Sequence, residues 1–150
     1  MRNDFAPLQD LLNAVEDEFG VKYSKDWKRL LRADNDLDGV YSIKKGVKVI
    51  ANNAFSWCFY SLKSIIIPDS VTSIGDGAFS GCDSLTSINI PDSVTTIGNH
   101  AFYNCKSLTS INISNGMMSI GDNAFSNCSS CVVISVPRSS MISRSQAKTS

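Results

Sequence analysis

From Ile43 to Ile134 the apolar residues of this chain return at a nearly constant interval. Ile67, Val71, Ile74, Phe79, Cys82 and Leu85 are answered by Ile90, Val94, Ile97, Phe102, Cys105 and Leu108. The polar residues between them recur as well: Ile67-Pro68-Asp69-Ser70-Val71-Thr72-Ser73-Ile74-Gly75 returns as Ile90-Pro91-Asp92-Ser93-Val94-Thr95-Thr96-Ile97-Gly98. Over this 23-residue period 17 positions are identical. A third, decayed copy starts at Ile113 and keeps Ile120-Gly121, Ala124-Phe125, Cys128 and Ile134, with Met117 in the valine slot. An earlier copy starts at Ile43 with Val47, Ile50, Ala54-Phe55, Cys58, Leu62 and Ile65, and one extra residue between Cys58 and Leu62 lengthens its period to 24. Repeats of about 20–50 residues mark architectures in which each copy is one structural unit.

One such unit cannot stand alone. Burying a large apolar side chain contributes about 1.5–3 kcal/mol, whereas ordering the backbone costs about 1–2 kcal/mol for every residue of the period. Stacked copies share strand hydrogen bonds and cover one another's cores, so stability has to come from neighbours. Within a copy, Leu85-Thr86-Ser87-Ile88-Asn89-Ile90 alternates inward and outward as a strand does, and Pro91 ends it by removing a ladder donor. Val94-Thr95-Thr96-Ile97 predicts a second short extended piece, after which Gly98 is expected to supply a permissive backbone for a bend. Ala101, Phe102 and Cys105 fall at helix-like spacing, which predicts a short helix or a single 3₁₀ turn over Asn99 to Cys105.

The chain before the repeats shows a different periodicity. Leu8, Leu11, Leu12, Val15 and Phe19 form a stripe at helical spacing, with Pro7 near its start and Gly20 placed as a stop. Ser24 is placed as the N-cap of a second helix carrying Trp27, Leu30 and Leu31 on one side. A helix pair would serve as the lid that the first copy needs over its open core; an independent partner-binding module is the rival reading.

Charge divides the chain at the same place. Residues 1 to 50 hold nine basic and nine acidic side chains, and the remaining hundred hold five of each. With no net charge there is no field to draw in nucleic acid, an anionic membrane or an acidic substrate. Apolar runs such as Ile65-Ile66-Ile67 are far too short to span a bilayer, so membrane insertion is not expected. Met1-Arg2-Asn3-Asp4-Phe5 leads into acid-bearing amphipathic sequence rather than an apolar signal core, which makes the cytoplasm the expected compartment. A hydrophobic content of 43% without an obvious linker suits one compact domain, organised as an N-terminal helical cap over 1–39, a solenoid of about four repeats over 40–137, and a polar, disordered tail over 138–150.

The cysteine, Ser-Leu, Ile-x-Ile-Pro, Val-Thr-x-Ile-Gly and Ala-Phe elements between Ile67 and Ile113 resemble the leucine-rich repeats of the BspA-like surface proteins. The resemblance covers about residues 40 to 137. It implies a curved parallel-sheet solenoid and a role in protein interaction, including adhesion to host proteins in some members, which are commonly exported. The expected fold class is therefore α/β, a leucine-rich-repeat solenoid with a parallel sheet, capped by two N-terminal helices.

Candidate chemistry is sparse. Asp34-Asn35-Asp36-Leu37-Asp38-Gly39 matches the first half of a calcium loop, in which alternate carboxylates and a glycine turn wrap one hard cation. Lys45 stands where the bidentate glutamate is needed, so a solvated acidic turn competes with Asp34, Asp36 and Asp38 as metal ligands. Cys58, Cys82, Cys105 and Cys128 lie 24, 23 and 23 residues apart in one core slot, where a thiol serves as a small hydrophobe. Cys128-Ser129-Ser130-Cys131 has Cys-x-x-Cys spacing, but Cys131 aligns with Leu85 and Leu108, and no second pair accompanies it. His100 precedes Cys105 by five residues, a spacing that suggests a nucleophile and base; its slot holds Gly77 and Asn123 in other copies, which points it to solvent. Neither an enzyme activity nor a cofactor is expected.

Binding is then carried by outward strand positions. One column reads Ser64, Ser87, Ser110 and Val133, and its neighbour Ile66, Asn89, Asn112 and Ser135. This polar, nearly uncharged face suits a protein or glycan surface, or only a soluble exterior. A bare apolar edge at Val132-Val133-Ile134-Ser135-Val136 would suit pairing with a second copy. Three functions follow: an interaction module, a self-assembly element through residues 132–136, and a calcium-stabilised domain.

Overall fold

The structure is a computed structural model that describes residues 7–33, 37–58, 61–113, 116–128 and 132–134. Asp34, Asp36, Ser135 and the tail from 138 lie outside the described residues. The repeat becomes two parallel ladders. One sheet runs β12 (Val132–Ile134), β10 (Ser110–Asn112), β8 (Ser87–Asn89), β6 (Ser61–Ile66) and β4 (Asp38–Ser42). The other runs β1 (Val15–Glu16), β2 (Lys22–Tyr23), β3 (Arg29–Arg32), β5 (Val49–Ile50), β7 (Ser73–Ile74), β9 (Thr96–Ile97) and β11 (Ser119–Ile120). Each lap of chain adds one strand to both sheets, and residues one period apart sit side by side. Ile65 pairs with Ile88 and Ile88 with Ile111, while Ile50, Ile74, Ile97 and Ile120 form the matching column opposite.

Between the sheets the apolar slots stack as columns. Phe55, Phe79, Phe102 and Phe125 lie ring over ring, with centroids 5.1, 5.1 and 5.5 Å apart and planes within 6, 7 and 14°. That separation is close to the spacing of paired strands, so the aromatic column and the backbone ladders ask for one and the same pitch. The glycine after Ile74, Ile97 and Ile120 follows from that pitch too. A Cβ on Gly98 would lie 2.5 Å from the Asp76 nitrogen and 2.6 Å from the Gly75 carbonyl carbon, and Gly75 and Gly121 are equally confined. These three glycines do not have positive φ; they are needed for close approach of successive coils, not for the bend that the sequence suggests.

The stretch from Asn99 to Cys105 is a series of turns rather than a helix. Two residues of each lap take left-handed backbone: Asn53, Gly77, His100 and Asn123 in one slot, and Trp57, Gly81, Asn104 and Asn127 in the other. Alternate N–H groups then point along the stack. Gly77, Phe79 and Gly81 donate to the carbonyls of Asn99, Ala101 and Tyr103 at 2.8, 2.7 and 2.7 Å. An α-helix would spend the same donors within its own lap and leave the next coil unbonded.

The N-terminal segment departs furthest from expectation. In place of two helices the described residues of this segment hold one short helix, α1 (Leu8–Leu12), with no buried residue, and Leu8 and Leu12 are 72% and 70% exposed. Val15 belongs to β1, which pairs antiparallel with β2, which in turn pairs antiparallel with β3. Ser24 does accept a backbone N–H, but from Arg29 across a hairpin turn in which Trp27 has φ 60°. Side-chain oxygens that cap helices also close turns, and the open end of the second ladder offers backbone partners that a helix would leave unpaired. Leu30 pairs with Ile50 and is fully buried. The hairpin loop is tied to the first coil by a chain of hydrogen bonds in which the Lys44 amide donates to the Tyr23 hydroxyl, Tyr23 to Tyr41 at 2.5 Å, and Tyr41 to the Asp17 carboxylate at 2.5 Å. Burial first, and then the Asp17 carboxylate, push the Tyr41 hydroxyl well above the ordinary tyrosine pKa, so it stays a donor.

Gly98→Ala is expected to destabilise the chain by about 1–3 kcal/mol, because the methyl group meets backbone that cannot yield without opening the stack. Thermal unfolding followed by circular dichroism checks this, and a midpoint equal to that of the unaltered chain would contradict the close approach.

Candidate functional site: the outer face of the five-stranded sheet

Strand alternation sends Leu62, Ile65, Ile88 and Ile111 into the core and their neighbours outward. The predicted columns align from β6 to β10. Ser64 pairs with Ser87 and Ser87 with Ser110, and Ile66, Asn89 and Asn112 align beside them. Ser87, Asn89 and Asn112 are exposed, Ser64 and Ser110 half-buried, and Ile66 is 55% exposed. The first strand extends both columns, with Val40 opposite Ser64 and Ser42 opposite Ile66. Val40 is 62% exposed, so the face is apolar at the β4 end and amide-rich toward β10. Its alternation with Tyr41 was the sequence signal for this extension.

At the far end the register differs from the 23-residue spacing. Ser110, Ile111 and Asn112 pair with Val132, Val133 and Ile134. Val133 thus takes the register position beside Ile111, not that beside Ser110, and Val132 and Ile134 pair with Ser110 and Asn112. The spacing from Ile111 to its partner is one residue shorter than the spacing from Cys105 to Cys128, so the chain has shifted between these two slots.

The face is bordered by Thr86 and Thr109, whose hydroxyls donate to the carbonyls of Lys63 and Thr86 at 3.2 and 3.3 Å. Where the strands end, Asn89 and Asn112 overhang an open groove of about 810 Å³ with Asp69, Asp92 and Pro91 in its wall. The sequence reading passed over these aspartates because they lie in the turn after the strand. The repeated Pro-Asp was the available signal. A second groove of about 620 Å³ follows the short strands of the other sheet. Its rim holds a ladder in which Asn52, Asp76 and Asn99 accept the backbone N–H of Asp76, Asn99 and Asp122, each at 2.8 Å.

The reactive candidates are not assembled. Cys82, Cys105 and Cys128 donate their thiols to the carbonyls of Phe55, Phe79 and Phe102 at 3.1, 3.1 and 3.0 Å, one coil back. Burial, more than the neighbouring Cys58, pushes the Cys82 thiol far up, which suppresses the thiolate that nucleophilic or metal chemistry requires. His100 is exposed with its ring edge-on to Tyr103 at 5.3 Å, whereas Cys105 is fully buried, so the two do not meet. Asp38 opens β4 opposite Ser61. Among the described residues no three His, Cys, Asp or Glu side chains are grouped as metal ligands, and no helix is long and apolar enough to cross a membrane.

Stacked coils with two parallel ladders and one aromatic column define a β-solenoid repeat protein. The family model described as the BspA type leucine rich repeat region matches residues 48–147 in six copies, and the chain belongs to that family. Among solved structures it is similar to a leucine-rich repeat protein from Eubacterium ventriosum, with 25% identity and a TM-score of 0.69 over 91% of this chain and 47% of that one. It is similar to a leucine rich cell surface protein from Faecalibacterium prausnitzii, with 26% identity and a TM-score of 0.63 over 92% and 43%. The pneumococcal vaccine antigen PcpA shares the fold at 23% identity, with a TM-score of 0.75 over 81% and 31%. The chain therefore spans between about a third and a half of these structures. No curated protein matches it.

Alkylation with iodoacetamide at mildly alkaline pH, mapped by mass spectrometry, is expected to modify Cys58, Cys82 and Cys105 only as fast as the chain unfolds. Rapid labelling of these three in the folded protein would contradict the buried, thiol-donating geometry.

Proposed function

We propose that this chain is a non-catalytic interaction module that presents the outer face of the five-stranded sheet to a protein partner. The observation that carries this reading is the pair of outward columns, Ser64–Ser87–Ser110 and Ile66–Asn89–Asn112, held in register by strand pairing. A rigid array of short hydroxyl and amide side chains loses little conformational entropy on binding, and the exposed Val40 and Ile66 supply apolar contact at one end of it. An adhesin-like setting is supported by the likeness to a leucine rich cell surface protein.

A second reading is self-assembly through β12, which terminates the five-stranded sheet among the described residues. The first ladder strands argue against flush end-to-end stacking, because β1 and β2 extend the other sheet beyond the first coil. Pairing at the β12 edge is what remains, and a strictly monomeric mass by sedimentation at high concentration would remove it.

The sheet-face reading is tested with Asn89→Lys and Asn112→Lys together, which set two ammonium groups opposite each other on adjacent strands. Partners captured by the unaltered protein and identified by mass spectrometry should bind the double variant at least about tenfold more weakly, with the fold retained by circular dichroism. Equal binding refutes it.

A further inference from the structure

The two best-matched coils are a controlled comparison within one chain. Between Ile67 and Asn112 they differ at six positions, Ser73/Thr96, Asp76/Asn99, Gly77/His100, Ser80/Tyr103, Gly81/Asn104 and Asp83/Lys106. None of the core slots has changed. Three of the six pairs, Asp76/Asn99, Gly77/His100 and Ser80/Tyr103, converge on one notch of about 380 Å³ on the turn side of the stack, with Asn53 as its remaining wall. In a repeat protein the scaffold positions are fixed by their neighbours; Asp76 and Asn99 keep one ladder contact with either side chain, whereas the changes Gly77/His100 and Ser80/Tyr103 reshape a concavity open to a ligand.

The notch is a defect in an otherwise filled row. Its slot carries Asn53, Gly77, His100 and Asn123 in successive coils, and Gly77 lines the notch without a side chain of its own. The Asn53 amide leans across the gap, and a Cβ on Gly77 would come within 2.3 Å of its Oδ1. On the far side stand the rings of His100 and Tyr103, edge to face at 72°. Tyr103 occupies a slot that is serine at Ser56, Ser80 and Ser126. His100 holds left-handed backbone at φ 57°, a conformation that costs a non-glycine residue of order 1 kcal/mol and is relieved by glycine or asparagine. The floor is polar. Asp76 Oδ1 accepts the Asn99 backbone N–H at 2.8 Å, which fixes the carboxyl group across the two coils. One slot further along, Trp57 lies over Gly81 with its indole 53% exposed.

We propose that this notch binds a terminal sugar residue of a glycan. Sugars combine an apolar C–H face with a rim of hydroxyls. The Tyr103 and His100 rings are the aromatic surfaces such a face stacks on, while Asp76, Asn53 and Asn99 bring carboxylate and amide groups able to exchange several hydrogen bonds with the rim. The volume suits one or two rings, and the open mouth leaves room for the rest of a chain. This deepens the interaction-module reading and rests on it, but it lies away from the sheet face and is tested separately.

The probes are free glucose, galactose, mannose, N-acetylglucosamine and N-acetylgalactosamine, titrated against the whole chain and followed by saturation-transfer NMR. At least one is expected to bind saturably with Kd on the order of 1 mM, as suits a single small site. His100→Asn with Tyr103→Ser installs residues that the same slots carry in other coils, so the melting temperature should hold while affinity falls at least about tenfold. Gly77→Asn, whose Cβ displaces the Asn53 amide and crowds the notch, should lower affinity by occlusion with the fold retained by circular dichroism, and it decides the matter alone if the double variant fails to fold. The proposal is overturned if none of the five sugars binds, if the double variant binds like the unaltered chain, or if binding is lost instead in the Asn89→Lys and Asn112→Lys protein. That last result would move the sugar to the sheet face, and loss of protein capture in that protein with sugar binding intact would separate the two surfaces.

Discussion

The pitch between successive coils is the quantity on which the rest of this molecule depends. Backbone hydrogen bonding between strands sets it, and every other feature of the repeat conforms to it: phenylalanine rings stack at 5.1 to 5.5 Å, asparagine and aspartate side chains reach the next coil's amide at 2.8 Å, and glycine stands where any side chain would strike the coil before. A single lap satisfies none of these contacts. Neighbours create the fold, and the open end at the first coil is met by a hairpin that continues the ladder and by a tyrosine pair anchored on Asp17.

A scaffold held this way separates two jobs. The inward positions, the glycines and the backbone of the turns are fixed by contact with adjacent coils, while the outward strand side chains and turn side chains such as His100 and Tyr103 can vary without disturbing that contact. Both candidate surfaces lie on such released positions. The sheet face is regular, with the same small polar groups repeated from strand to strand. The turn-side notch is irregular, because its residues are those in which two nearly identical laps disagree. Cysteine, in contrast, is constant in its slot, since a buried thiol both fills the column and donates to a carbonyl one coil back. Its constancy is explained by packing alone.

Several departures from the sequence reading share one origin. Ser24 was expected to cap a second helix, but the element it closes is a hairpin, because side-chain capping is local chemistry that helices and turns have in common. The stripe from Leu8 to Phe19 has helical spacing, but a five-residue helix with exposed leucines is all that forms; the strands nearby gain ladder partners that periodicity does not reveal. Over Asn99 to Cys105 the buried spacing also fits a helix. The left-handed residues in that stretch send its N–H groups along the stack, and recurrent Asn and Gly in those slots were the legible but weak sign of it. The displaced pairing of β12 was not legible at all, since the 23-residue count places Ile134 where Val133 pairs.

By itself the sequence determined the period, the identity of the core slots and the outward columns of β6, β8 and β10. These follow from spacing and side-chain polarity, which are properties of the chain one residue at a time. The tertiary structure decided where each backbone donor goes, whether a glycine is bent or crowded, which strand meets the open end, and that three divergent pairs of residues meet in one notch. Those are distances between residues about 23 positions apart, and no local pattern encodes them until the coils are laid against each other.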